Sequence, residues 1–282
     1  MMPVDICIVC HNGKKGFRSC WPGLKQCNSC GYCMADMDVQ NLNLREIYSD
    51  EYFSGDEYVD YLRDRPTFEK QFRARLHEMK RFQPSGNLLE IGCAYGFFLA
   101  VAQQDYRAYG FDIAEGPVTY ARGELGVDAR CEDFLDVPLE PDSVDVVAMW
   151  DTIEHLPRPD LTIGKVGRVL KPGGFLFLTT GDIGSLIARV KREKWRLFHP
   201  PTHLHYFSRS TIARLLETAG LRVVKTRYVG VRRSVRQVAY SLLVLGKEHS
   251  SWLYDSIADS AIGDFSFVLN TYDIMLVVGQ KR

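Results

Sequence analysis

Residues 87–100 read NLLEIGCAYGFFLA, and this stretch constrains the fold more than any other. Leu88, Leu89 and Ile91 form an apolar run that stops at Gly92, and a second apolar run starts directly after Gly96. A buried strand, a tight glycine turn and a helix start explain that pattern. The alternation repeats downstream. Strands are predicted at 88–92, 108–112, 127–131, 144–149, 175–180, 222–228 and 272–279, with helices near 97–104, 116–124, 160–169 and 208–219. Strands alternating with helices imply an α/β fold with a doubly wound, mostly parallel seven-stranded sheet covered on both faces. The final two strands, separated by a long segment, suit an antiparallel edge pair. Ligands bind such sheets beyond the carboxyl ends of the strands.

The chemistry of the glycine turn narrows the ligand. A nicotinamide site needs G-x-G-x-x-G, but Ala94 and Phe97 stand at the second and third glycine positions. The loop instead resembles motif I of the class I S-adenosylmethionine-dependent methyltransferases, acidic-x-Gly-x-Gly-x-Gly. Glu90, Gly92 and Gly96 match it, and Ala94 replaces the middle glycine. Four further segments are similar to that family in order: YGFDIAE ending at Asp112, CEDFLD, VDVVAMWDTIEHLPRP and LKPGGFLFLTT. The resemblance spans residues 85–230 and implies a Rossmann-like fold with S-adenosylmethionine as donor and S-adenosylhomocysteine as product. It implies cofactor contacts from Glu90, Gly92, Cys93, Ala94, Tyr95 and Gly96 in the loop. Asp112 would accept the ribose hydroxyls, with Ile113 beside it. Asp133 would meet the adenine amino group, with Phe134 against the ring. Trp150 and Asp151 would close the site after the fourth strand.

Six of the eight cysteines lie between Cys7 and Cys33. Cys7-x2-Cys10 and Cys27-x2-Cys30 have the spacing of two knuckles sharing one tetrahedral zinc. Two intervening residues let a tight turn aim both sulfurs at one point. A loop-rich segment this small buries too little core to fold alone, and a metal supplies the missing free energy. Four thiolates would fill the coordination shell, so the predicted zinc is structural. Cys20 and Cys33 are left over, and His11 is an alternative ligand. Lys14, Lys15, Arg18 and Lys25 leave open a nucleic-acid contact for this ribbon.

Residues 1–35 are therefore expected to be a zinc ribbon, 36–84 a helical linker or cap, and 85–282 the methyltransferase domain. The linker's Tyr48, Tyr52, Phe53 and Tyr58 can line a substrate pocket or pack on the core, and Pro66 marks a new helix start. Lys plus Arg and Asp plus Glu both number 35, which argues against a duplex nucleic-acid partner. Charge is nevertheless uneven. Residues 36–64 hold nine acids and two bases, whereas 186–236 hold thirteen bases and two acids. The basic segment reads either as a solvated face or as the border of a site for an anionic substrate. At its start, Ile183, Leu186, Ile187 and Val190 are spaced as a helical apolar stripe beside Arg189, Lys191, Arg192 and Lys194. That stripe suits packing, a lid or a membrane surface.

Transfer to a hydroxyl needs a group to receive its proton, and histidine titrates in the right range. His155, just past the fourth strand, is the expected general base. His203 and His205 alternate, so in an extended segment they would face the same side, placed to bind the acceptor or assist proton removal. The expected activity is methylation of a small-molecule hydroxyl on a sugar, nucleotide-sugar or other anionic metabolite. An RNA methyltransferase gripping its substrate with the ribbon and a sugar C-methyltransferase are the alternatives. With neither a signal peptide nor an apolar run of membrane-spanning length, a cytoplasmic location is expected.

Overall fold

The computed structural model describes residues 6–13, 16–38, 47, 61–244 and 252–282. Tyr48, Tyr52, Phe53 and Tyr58 lie outside the described residues. The first three strands, β1 (Phe17–Ser19), β2 (Leu24–Cys27) and β3 (Cys33–Ala35), form an antiparallel ribbon. Helix α1 (Arg65–Met79) follows, with Pro66 in its first turn, where a missing N–H costs nothing. It presents Leu76 and Met79 to the core and sets Phe72 edge-on against Phe98.

The main sheet has seven strands. β4 (Gly86–Ile91), β5 (Tyr106–Asp112), β6 (Asp128–Cys131), β7 (Val144–Trp150) and β8 (Leu170–Gly181) run parallel in the order β8-β7-β4-β5-β6. β13 (Ile274–Lys281) lies antiparallel beside β8, and β10 (Leu221–Tyr228) lies antiparallel at the edge beside β13. The expected antiparallel end pair is thus present. Helices α2 (Phe97–Ala102), α3 (Glu115–Leu125), α4 (Pro159–Val169) and α6 (Arg209–Thr218) make the crossovers and covers. The apolar run VVAM, Val146–Met149, in β7 is buried on both faces, as parallel strands between helical layers require. Chain connections leave β4 toward β5 on one side, while β7 flanks it on the other. The crevice at that switch point opens beyond Ile91, Asp112 and Trp150.

Two features differ from expectation. The ribbon sheet gains a fourth strand, β9 (His205–Tyr206), with Cys33 opposite Tyr206 and Met34 opposite His205. Cys7, Val9, Cys27 and Tyr32 accordingly share one buried core with Leu89 and Met149 of the main sheet. The apolar stripe at 183–190 also divides. Helix α5 (Leu186–Lys191) is a turn and a half long, capped by Ser185. Ile183 and Ile187 face Trp195 and Ala188, whereas Leu186 and Val190 are 79% and 74% exposed. Leu186 and Val190, spaced i, i+4, share one face of the helix, whereas Ile183 precedes the helix and Ile187 lies on another face. Lastly, α7 (Val235–Leu243) and α8 (Trp252–Ala258) accompany a two-stranded sheet of β11 (Val231–Ser234) and β12 (Ser266–Leu269).

Candidate active site

The loop after β4 turns through three left-handed residues: Gly92 (φ 78°), Ala94 (φ 42°) and Gly96 (φ 71°). A Cβ on Gly92 would stand 2.5 Å from Thr152 Cγ2, and one on Gly96 2.8 Å from Ala121 Cβ. Only glycine fits at those two positions. Ala94 accepts the strained conformation, held by its N–H donating to Asp112 Oδ2 at 2.8 Å. The other Asp112 oxygen accepts from Ala114 N–H at 2.9 Å. Burial raises the Asp112 pKa, while the N–H groups of Ala114, Ala94 and Ile113 pull it back.

Below the loop, Glu90 is buried within the sheet. Burial first, and the charge of Asp112 second, push its pKa well above the ordinary range. Its Oε2 has no hydrogen-bond partner among the described residues, and neither has the buried Trp150 Nε1. A cavity of about 280 Å³ lies over the carboxyl ends of β4, β5 and β7. Gly92, Ala94, Asp112, Ile113, Asp133 and Phe134 line one side of it. Trp150, Asp151, His155 and His203 line the other. Cys93 is buried beneath the loop, and Tyr95 stacks on Tyr61 and Phe97 outside the lining.

The residues fit S-adenosylmethionine on two counts. Gly92 and Ala94 of the loop line the cavity together with Asp112 and Asp133, while the missing Cβ atoms of Gly92 and Gly96 make room for Thr152 and Ala121. The buried Nε1–H of Trp150, a residue of the cavity lining, is left for another group to satisfy.

The far wall holds side chains that spacing alone did not reveal. Asp151 is a second strained position, φ 51°, fixed by its N–H to Thr179. Burial raises its pKa, and the charges of Arg75, Arg196 and Arg233 lower it again. All three arginines line the cavity. Arg75 comes from α1, Arg233 from β11, and Arg196 from the basic segment, where it also pairs with Asp273. A three-residue turn, Ile153–His155, brings in Glu154 and His155. Leu204 N–H donates to the Glu154 carbonyl at 2.8 Å and ties this turn to the histidine segment.

The three expected catalytic histidines separate. His155 Nδ1–H donates to the Thr202 carbonyl at 2.9 Å, and His203 Nδ1–H to the Leu197 carbonyl at 2.8 Å. Their rings meet edge to face, 4.6 Å between centroids. Burial lowers His155 to about 4, with the Thr202 carbonyl opposing that shift, and burial also drives His203 well below the usual value. Both imidazoles are neutral near pH 7, but His155 is a weaker base than the sequence implies. His205 stands apart from the other two. It is buried away from the cavity, accepts from the Tyr32 hydroxyl at Nδ1 and donates from Nε2 to the Leu156 carbonyl at 2.8 Å. The alternation rule fails because β9 begins only at His205, leaving His203 in the preceding turn.

Outside the cavity lining, Cys7, Cys10, Cys27 and Cys30 converge on one point. Cys7 and Cys30 sulfurs are 3.6 Å apart, and Cys10 and Cys27 sulfurs 3.7 Å apart. Four sulfurs about 2.3 Å from a tetrahedral zinc stand about 3.8 Å from each other, so the donor set fits that ion. His11 is not in the cluster; Cys20 and Cys33 form a separate pair at 4.0 Å. Among the described residues, no helix is long and apolar enough to cross a membrane.

Comparison with known proteins agrees with this geometry. The chain is 29% identical over 159 residues to a ubiquinone biosynthesis O-methyltransferase of Hahella chejuensis, covering 49% of this chain and 67% of that one. It is 30% identical over 167 residues to the biotin biosynthesis bifunctional protein BioHC of Cellvibrio japonicus, covering 56% of this chain and 33% of that one. The chain thus spans a third to two thirds of these curated relatives. A solved S-adenosylmethionine-dependent methyltransferase of Archaeoglobus fulgidus superposes with a TM-score of 0.53 at 19% identity, over 78% of this chain and 99% of that one. The family profile described as a methyltransferase domain matches residues 61–226, more than half of the chain. From its glycine loop to its seven-stranded sheet, the chain belongs to the class I S-adenosylmethionine-dependent methyltransferases.

Proposed function

We propose that the chain methylates an oxygen of an anionic small molecule held between the glycine loop and the arginine wall. The observation that carries this reading is the convergence of Arg75, Arg196 and Arg233 on the cavity that the loop and Asp112 also line. Guanidinium groups in a sheltered cavity match carboxylate or phosphate geometry. The relative named for O-methylation in ubiquinone biosynthesis supports an oxygen acceptor.

Loop residues 92–96 and Asp112 hold the donor's polar portion, Asp112 taking the ribose hydroxyls. Asp133, Phe134 and Ile113 flank the adenine, and Trp150 and Asp151 complete the enclosure. When bound, the donor supplies an electrophilic methyl on a sulfonium. The chain's own task is to align the acceptor oxygen, exclude water and stabilise the oxygen as its proton leaves. Glu154, His155 and His203 offer the cavity's lone pairs at that position. The Cys7–Cys10–Cys27–Cys30 cluster holds a structural zinc within a ribbon at residues 1–35, ahead of a cap at 36–84 and the catalytic domain at 85–282.

The acceptor side is tested by methyl transfer from labelled S-adenosylmethionine to hydroxy compounds, comparing phosphorylated or carboxylated members with their neutral counterparts. Anionic members should be preferred, and Arg233→Ala should raise their KM about tenfold, the loss of one charge-assisted contact, with kcat little changed. Equal use of neutral compounds would remove the arginine wall from recognition.

A further inference from the structure

We propose that Glu154, His155 and His203 form a binding site for a divalent cation on the acceptor side of the cavity. A carboxylate oxygen and one nitrogen from each ring lie within 4.8 Å of one another. Both rings donate their Nδ1–H to a backbone carbonyl, Thr202 for one and Leu197 for the other. That fixes each neutral tautomer with its lone pair on Nε2, which is how metal-binding histidines are commonly oriented. Glu154 is 4% exposed, and its Oε2 has no hydrogen-bond partner among the described residues. A buried carboxylate oxygen left unsatisfied is costly unless something positive or a donor meets it.

The site is also preorganised. Glu154 and His155 share one tight turn, and the Leu204 N–H to Glu154 carbonyl bond fixes His203 against it. Nitrogen and oxygen donors of one ion, each about 2.1 Å from it, stand about 3 to 4 Å apart, so a shift of about an ångström closes the triangle. Two imidazoles and one carboxylate suit a first-row divalent ion and leave coordination positions open. All three residues line the cavity, so the open positions face the space assigned to the acceptor. A cation there binds the acceptor oxygen and acidifies its hydroxyl, whose proton passes to solvent. This consequence rests on the methyltransferase reading; the binding itself does not.

The test uses the full chain with its cysteine-bound metal quantified first. Mn2+ is then titrated and free ion followed by its paramagnetic resonance signal, with S-adenosylhomocysteine affinity measured in parallel by calorimetry. The expected result is one Mn2+ bound per chain, with Kd weakened at least tenfold in Glu154→Gln and in His203→Gln. Unchanged thermal midpoints and S-adenosylhomocysteine affinity would show that both variants fold. No Mn2+ binding by the native chain, or equal binding by folded variants, overturns the site. Mn2+ binding without S-adenosylhomocysteine binding would keep the site and overturn the methyltransferase reading instead.

Discussion

The cysteine cluster and the Glu154–His155–His203 cluster are both places where metal-binding side chains converge, and their differences separate fold maintenance from chemistry. The first uses four soft donors from two short turns, fills a coordination shell and is not part of the cavity lining. The second uses nitrogen and oxygen donors from two distant segments, has three members and faces the cavity. A closed sulfur site suits a staple, whereas an open mixed site suits a reacting ligand. They are joined physically. β3 of the ribbon pairs with β9, and Tyr32 bonds His205, whose other nitrogen reaches the Leu156 carbonyl one residue beyond His155.

The largest effect expected from breaking this contrast is at the ribbon. Cys27→Ser, or chelation of the bound metal, should lower the thermal midpoint by at least about 10 °C, because structural-metal binding energy is folding energy. Turnover should fall with it, since β9 and His203 lose their support. A variant that keeps its midpoint but loses turnover would move the cysteine site into the chemistry and erase the distinction.

A smaller effect is expected at the junction. Tyr32→Phe keeps the ring but strands His205 Nδ1, at a cost of about 1–3 kcal/mol and a fall of a few degrees in midpoint. If the junction carries the coupling, kcat should drop while S-adenosylhomocysteine affinity holds. Calorimetry and steady-state kinetics on one preparation separate the two.

The smallest effect concerns the strand beneath the glycine loop. Glu90 has a raised folded-state pKa, so between its ordinary value of about 4.5 and that raised value the folded state binds the extra proton. Stability in the unliganded protein therefore falls as pH rises above about 4.5. Glu90→Gln should flatten the dependence of the thermal midpoint on pH between 5 and 8, whereas Cys27→Ser should leave that slope in place. Identical slopes in the native chain and Glu90→Gln would take the pH response away from the sheet.

What the sequence made legible follows the range of the interactions. The strands were readable because parallel strands are apolar throughout, and the Cys-x2-Cys pairs because their geometry is local. Gly92 follows β4 and Asp112 ends β5, in the order that the family resemblance requires. The arginine wall was not legible. Arg75, Arg196 and Arg233 come from three elements, and only the excess of bases in 186–236 hinted at two of them. Glu154 lay in plain view beside His155, but its pairing with His203 depends on a loop crossing that no local pattern encodes. His203 and His205 do not share one extended segment, because β9 begins only at His205. β9 escaped notice because two residues become a strand only when a distant ribbon offers its edge.

The central claim is a donor site built on the glycine loop and Asp112. Calorimetric titration with S-adenosylhomocysteine, beside NAD as a control, tests it most directly in the native chain and in Asp112→Ala. The expected result is micromolar binding of S-adenosylhomocysteine, no binding of NAD, and an affinity loss of about a hundredfold in Asp112→Ala, matching roughly 3 kcal/mol for two charge-assisted hydrogen bonds. Undiminished affinity in a folded Asp112→Ala, or no binding by the native chain, would contradict the claim.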